Sequence, residues 1–87
     1  MGNWAYMLKC ADGSFYSGWS TDPARREKEH NAGRGAKYTR ARRPVKLAYA
    51  EECGSRSAAM KREAALKKLS RAEKQALAES YLPAREQ

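Results

Sequence analysis

Two short runs near the N-terminus, Trp4-Ala5-Tyr6-Met7-Leu8-Lys9-Cys10 and Phe15-Tyr16-Ser17-Gly18-Trp19, are strand-like, and the Ala11-Asp12-Gly13 between them is a turn signal. The hairpin they form constrains the rest of the fold, because its loop length decides the face on which each side chain falls. A two-residue Asp12-Gly13 loop would pair Ala11 with Ser14 and put Tyr6 and Tyr16 on opposite faces. A three-residue loop, with Ala11 and Asp12 in a type I turn and Gly13 left-handed, pairs Cys10 with Ser14 and puts both tyrosines on one face. Glycine supplies the positive φ that the last loop position demands, which favours the longer loop.

Thr21-Asp22-Pro23 is a helix-start signal, with a capping oxygen from Asp22 or Thr21 and proline at or near the first helical position. This helix is expected to run to about Asn31 and end at Ala32-Gly33. Arg26 and His30, the only histidine, are four apart and project from one face. Gly33 to Pro44 is Gly-rich and basic and reads as a loop. Val45 to Ala50 alternates as a third strand, closed by Glu51-Glu52-Cys53-Gly54. Ser57 opens a helix to Leu69, and Ser70-Arg71-Ala72-Glu73 is a capping box for a last helix ending near Tyr81. Leu82-Pro83 stops it, and residues 84–87 are a tail. The order is β-β-α-β-α-α: one α+β domain over residues 1–87, with a small three-stranded antiparallel sheet flanked by helices.

A chain of 87 residues buries only about 60–65 % of its unfolded surface, so the core is modest and large substrates must bind outside it. Eighteen Lys and Arg against ten Asp and Glu give a net charge of +8, which favours polyanions, nucleic acid first. No apolar run approaches the roughly 20 residues that span a bilayer, and no secretory signal precedes the first strand. The expected compartment is the cytoplasm, with Cys10 and Cys53, which form no Cys-x-x-Cys motif, as half-buried thiols. Half of the 18 Lys and Arg lie between Arg25 and Lys46, against only Glu27 and Glu29. In this patch Arg34, Lys37, Arg40, Arg42 and Arg43 are candidate phosphate contacts and Tyr38 a candidate stacking platform.

The series Trp4-Ala5-Tyr6, Tyr16-Ser17-Gly18, Arg26, His30 and a glutamate on a later helix resembles the GIY-YIG nucleases. It is most similar to the small single-domain YhbQ-like bacterial subgroup related to the Slx-type nuclease domain, and His30 to Arg40 with Arg42-Arg43-Pro44-Val45 carry the same likeness. The resemblance spans Trp4 to about Leu77. It implies a divalent-metal-dependent endonuclease acting on DNA, in repair or in processing DNA structures, with one Mg²⁺ or Mn²⁺ per site. Carried over by position, Tyr6 and Tyr16 are the two motif tyrosines, Arg26 the helix arginine, His30 the residue one turn later and Glu63 the metal-binding glutamate. Ala5 stands for the first motif glycine and Ser17 for the isoleucine of the second; with no Asn after Asn31, Gln75 is the stand-in for a late asparagine.

Phosphodiester hydrolysis needs an activated water, a cation near the developing charge and help for the leaving oxygen. Glu63 would hold the metal mostly through waters. On a helical wheel it projects between Ala59 and Met60, away from Lys61 and Lys68, towards the interior or a cleft edge; pairing with Lys67 is the alternative. Arg26 offers planar bidentate donors to phosphate. Tyr6, with an ordinary pKa of about 10 that Mg²⁺ and Arg26 would lower, is one candidate base, and His30 is either its proton acceptor or the base itself. Tyr16 would orient water or phosphate, and Gly18 would leave room for backbone to approach substrate. DNA is the expected partner, with no membrane; a larger repair complex and a monomeric state are further expectations. The rival reading is a non-catalytic nucleic-acid-binding module that keeps the fold.

Overall fold

The computed structural model describes residues 2–85. Seven elements follow in order: β1 (Asn3–Lys9), β2 (Phe15–Ser20), α1 (Pro23–Asn31), α2 (Lys37–Arg40), β3 (Lys46–Cys53), α3 (Arg56–Lys68) and α4 (Arg71–Arg85). The antiparallel sheet has the order β2-β1-β3, so the first strand lies in the middle. The α+β class and three-stranded sheet are those read from the sequence.

The hairpin closes through three residues. Cys10 N–H donates to Ser14 O at 2.8 Å, Gly13 N–H donates to Cys10 O at 2.9 Å, and Gly13 sits at φ 87°. Asp12 Oδ1 accepts from Ser14 N–H at 3.0 Å, which holds the turn on its outer side. In this register Tyr6 faces Gly18 and Leu8 faces Tyr16, so both tyrosines share a face.

β1 is covered on both sides. Ala5 and Met7 point to a core that includes Phe15, Ala48, Leu66 and Ala78, with α3 and α4 packed there. Tyr6 and Leu8 point the other way with Cys10 and Val45, beneath α1. Asp22 Oδ1 caps α1 by accepting from Arg25 N–H, with Pro23 at its start, and its end is tied to the residue just before β3 by a reciprocal pair: Asn31 Nδ2 donates to Val45 O at 2.9 Å and Val45 N–H donates to Asn31 Oδ1 at 2.7 Å. Glu73 and Ser70 exchange the capping-box hydrogen bonds expected at the start of α4.

Four boundaries differ from the sequence reading. The stretch over 33–44 is not wholly irregular, since Lys37–Arg40 forms one helical turn around the buried Thr39. β3 continues through Glu51 and Glu52 to Cys53, because these residues pair with Ala5, Trp4 and Asn3 of β1, and Glu51 Oε1 is held by Tyr49 Oη at 2.7 Å and Arg62 Nε at 2.9 Å. α3 begins at Arg56, capped by Ser55 rather than opened at Ser57. α4 runs past Tyr81 and Pro83 to Arg85; a proline removes one helical hydrogen bond without obliging the backbone to leave the helix. The tail expected over 84–87 is therefore helical as far as Arg85, and its last two residues lie outside the described residues. Cys10 is buried and Cys53 partly so, both as free thiols, and no helix among the described residues is long and apolar enough to cross a membrane.

Candidate active site

Tyr6 occupies the middle of the central strand and is 1 % exposed. Its ring lies over Gly18 on β2, where an added Cβ would fall 2.6 Å from the Tyr6 hydroxyl and 2.7 Å from Cζ. The room at Gly18 thus belongs to the tyrosine, not to an approaching backbone as the sequence suggested. Tyr16, half-buried on the edge strand, sets its ring centroid 5.1 Å from that of His30.

α1 brings His30 and Arg26 onto this face. His30 is fully buried, its Nε2 3.5 Å from the Tyr6 hydroxyl and 3.5 Å from Arg26 Nη2. The other ring nitrogen, Nδ1, lies 2.7 Å from Thr39 Oγ1, on α2. Gly35 packs against the ring so closely that any Cβ there would overlap it. Arg26 is partly exposed and its Nη1 is paired with Glu29.

Burial lowers the His30 pKa, the Arg26 charge lowers it further, and Glu29 opposes both. Burial also raises the Tyr6 pKa above its ordinary 10.0; Arg26 pulls it down, while Tyr16 and Glu63 add to the rise. Arg26 thus acts on Tyr6 in the direction expected, but withdrawing the phenolate from water outweighs that one neighbouring cation. The Arg26 guanidinium is held still more firmly protonated than usual, first by Glu29.

Glu63 comes from α3, which packs against β2 and β1 from the other side of the sheet. Its carboxylate is largely covered and pairs with Lys67 Nζ at 3.0 Å, the alternative the sequence left open, yet its charge reaches the Tyr6 phenol. Among the described residues no three His, Cys, Asp or Glu side chains converge as a ligand cage. Glu63 offers one carboxylate, the kind of oxygen donor that a hard cation takes while keeping most of its waters, and Lys67 now holds that carboxylate. Lys67 and Lys74 line a groove of 260 Å³ with Phe15, Tyr16, Ser17 and Tyr38 across the β2 edge. Gln75 accepts from Lys9 Nζ at 3.0 Å, and Lys9 pairs with Phe15 on the side of the sheet that α3 covers. Ser17 buries a hydroxyl with no hydrogen-bond partner among the described residues.

The basic residues divide into two groups. Arg42 is a clasp: its Nε meets Asp12 Oδ2 at 3.1 Å, its Nη1 donates to Tyr38 O at 2.9 Å, and its guanidinium lies 3.9 Å from the Tyr38 ring centroid. Arg43 donates to Arg40 O and Asn31 O. Tyr38 stacks on Tyr16 at 6.2 Å between centroids, with 39 % of its surface exposed. Arg34, Lys37 and Arg40 are exposed, and among the described residues no side-chain hydrogen bond or ion pair engages them. Sequence reasoning passed over Thr39 and Gly35, whose places depend on the His30 ring; the only available signal was their position a few residues beyond the histidine.

A family model for the GIY-YIG catalytic domain matches residues 2–76. A UPF0213 protein of Halobacterium salinarum is 56 % identical over 72 residues, covering 83 % of this chain and 94 % of its own length. One from Listeria innocua is 55 % identical over 82 residues, covering 94 % and 87 %. The solution NMR structure of a UPF0213 protein from Bacillus halodurans shares 45 % identity at a TM-score of 0.54, covering 88 % of this chain and 82 % of that one. A solution NMR structure from E. faecalis shares 46 % identity at a TM-score of 0.56, covering 99 % and 88 %. The tyrosine pair over one sheet face, with the helix arginine and histidine beside it, is thus carried on a chain that belongs to the GIY-YIG catalytic domain family, a nuclease-type family, among its small UPF0213 relatives.

Proposed function

We propose that this protein is a divalent-metal-dependent endonuclease that hydrolyses phosphodiester bonds in DNA, in the cytoplasm, as part of repair or the processing of DNA structures. The observation that carries the reading is the convergence of the Tyr6 hydroxyl and Arg26 Nη2 on one nitrogen of the buried His30, each at 3.5 Å.

Burial makes Tyr6 harder to ionise than an exposed phenol, so in this reading it relays a proton rather than holding the charge itself. His30, held neutral by burial and Arg26, is the stronger base of the two. The proton path follows: an attacking water gives its proton to the Tyr6 oxygen as the Tyr6 proton passes to His30 Nε2. The 3.5 Å separation is long for such a transfer and would close when substrate excludes water. The hydroxide forms a new P–O bond, the bond to the leaving oxygen breaks, and that oxygen regains a proton through solvent as His30 returns to neutrality. Arg26 exchanges Glu29 for two phosphate oxygens, a bidentate grip that lysine cannot reproduce. Glu63 would hold the divalent cation, which when bound supplies charge stabilisation at the phosphate. Lys67, released from Glu63, and Lys74 are placed to contact the flanking backbone, with Arg34, Lys37 and Arg40 extending the cationic track.

The pairing of Glu63 with Lys67 favours one rival, a nucleic-acid-binding module without turnover. The two readings separate when labelled linear, flapped and four-way DNA is incubated with protein in Mg²⁺, Mn²⁺ or EDTA. A nuclease cuts at least one form with metal only, and Glu63→Gln loses cutting by about a hundredfold or more while retaining DNA affinity. Absence of metal-dependent cutting on every form, or normal cutting by Glu63→Gln, would establish the binding module instead.

A further inference from the structure

A neutral imidazole carries one proton on two nitrogens, and only the nitrogen without it can act as a base. In this site the surroundings of His30 decide which one that is. Thr39 Oγ1 lies 2.9 Å from Ala36 O, and since a carbonyl oxygen can only accept, that contact is a hydrogen bond only when the Thr39 hydroxyl gives its single hydrogen to it. The threonine oxygen then has only lone pairs left for His30 Nδ1 at 2.7 Å. That contact is attractive when Nδ1 carries the proton and repulsive when it does not. At the far side of the ring, Arg26 Nη2 stands 3.5 Å from Nε2, and a guanidinium has no lone pair to offer. Arg26 therefore also favours the lone pair on Nε2, and at 3.5 Å it offsets an opposing contact of similar length. A single contact opposes this, Ala36 N–H at 3.4 Å from Nδ1, and it is far longer than the threonine bond.

We infer that Thr39 is a positioning residue that holds His30 in the Nδ1–H tautomer, so that the Nε2 lone pair faces the Tyr6 hydroxyl. The short helix α2 supplies it. Ala36 O accepts both the Thr39 hydroxyl and Arg40 N–H, and Thr39 is fully buried beneath the ring. Gly35 lets the chain pass close enough for the threonine to reach. The charged and titratable groups around the imidazole are Arg26 and Glu29 on its own helix, Tyr6 on β1 and Tyr16 on β2; α2 contributes no charge at the ring. The consequence for turnover rests on the nuclease reading, but the tautomer itself does not.

His30 is the only histidine, so its two ring nitrogens can be read without ambiguity in two-bond ¹H–¹⁵N correlation spectra of the free protein above pH 7.5. The expected pattern is a pyrrole-type Nδ1 and a pyridine-type Nε2. Thr39→Val keeps the shape and removes the hydroxyl, and should move the two shifts towards each other or exchange them; Thr39→Ser should restore the wild-type pattern. Cleavage by Thr39→Val should fall at least about tenfold, with Thr39→Ser rescuing it. A wild-type spectrum with the proton on Nε2, or a Thr39→Val spectrum unchanged from wild type, overturns the inference whether or not the variant folds as stably. Should wild type cut no DNA while Nδ1 carries the proton and Thr39→Val disturbs it, the nuclease reading fails and the tautomer lock stands.

Discussion

A buried imidazole beside a guanidinium resists taking up a second proton, and this has a thermodynamic sign. His30 in the folded protein has a pKa below 6.5, the value for an exposed histidine, so between the two values the unfolded chain binds a proton that the folded one refuses. Stability from this residue is complete above about pH 6.5 and drains away as pH falls through the window beneath it. The carboxylates Glu29 and Glu51, lowered by their hydrogen bonds to Arg26 and Tyr49, act in the same direction but only below their ordinary 4.5. Urea unfolding from pH 8 to pH 5 should therefore show a decline that His30→Gln flattens; equal slopes for both proteins would contradict the placement of a neutral histidine there. Tyr6, Arg26 and His30 were legible because strand alternation and helical spacing fix their faces. Thr39 was not, since its burial depends on a ring nine residues away and on no period of its own.

At the scale of elements, the sheet links two layers with different duties. One side of β1 carries the phenol and imidazole; the other carries Met7, packed with Leu66 of α3. Leu66 is fully buried, and Leu66→Ala should cost about 2–5 kcal/mol in chemical unfolding. A loss under about 1 kcal/mol would mean that α3 is not docked as described. The hairpin register, both caps of α1 and the capping box of α4 were readable because each rests on neighbours in sequence. The extension of β3 was hidden because Glu51 reads as polar punctuation, whereas Tyr49 and Arg62 satisfy its carboxylate at the sheet edge. α2 was hidden because four residues are too few to display a helical period.

Over the whole molecule, the net charge of +8 sets an attraction for polyanions, but the fold decides which cations are available. Arg42 and Arg43, expected as DNA contacts in a basic loop, also hold the chain to itself through their guanidiniums. Replacing Lys37 and Arg40 with Gln should lower the log–log salt slope of DNA binding by about 2, with unfolding little changed. Replacing Arg42 and Arg43 should show chiefly as lost stability. An unchanged slope in the first pair would exclude that face as the contact.

Between Asn31 and Val45 the backbone is pinned at its neck by a reciprocal amide pair, in the middle by Thr39, and at the hairpin turn by Arg42. A segment with the composition of a tether is thus ordered before any ligand arrives. Its exposed cations are displayed at set spacings, and the loss of conformational freedom that a disordered basic arm suffers on binding has already occurred during folding. Association with a polyanion should then proceed as docking of rigid surfaces, with the small heat-capacity change of an interface that does not fold as it forms.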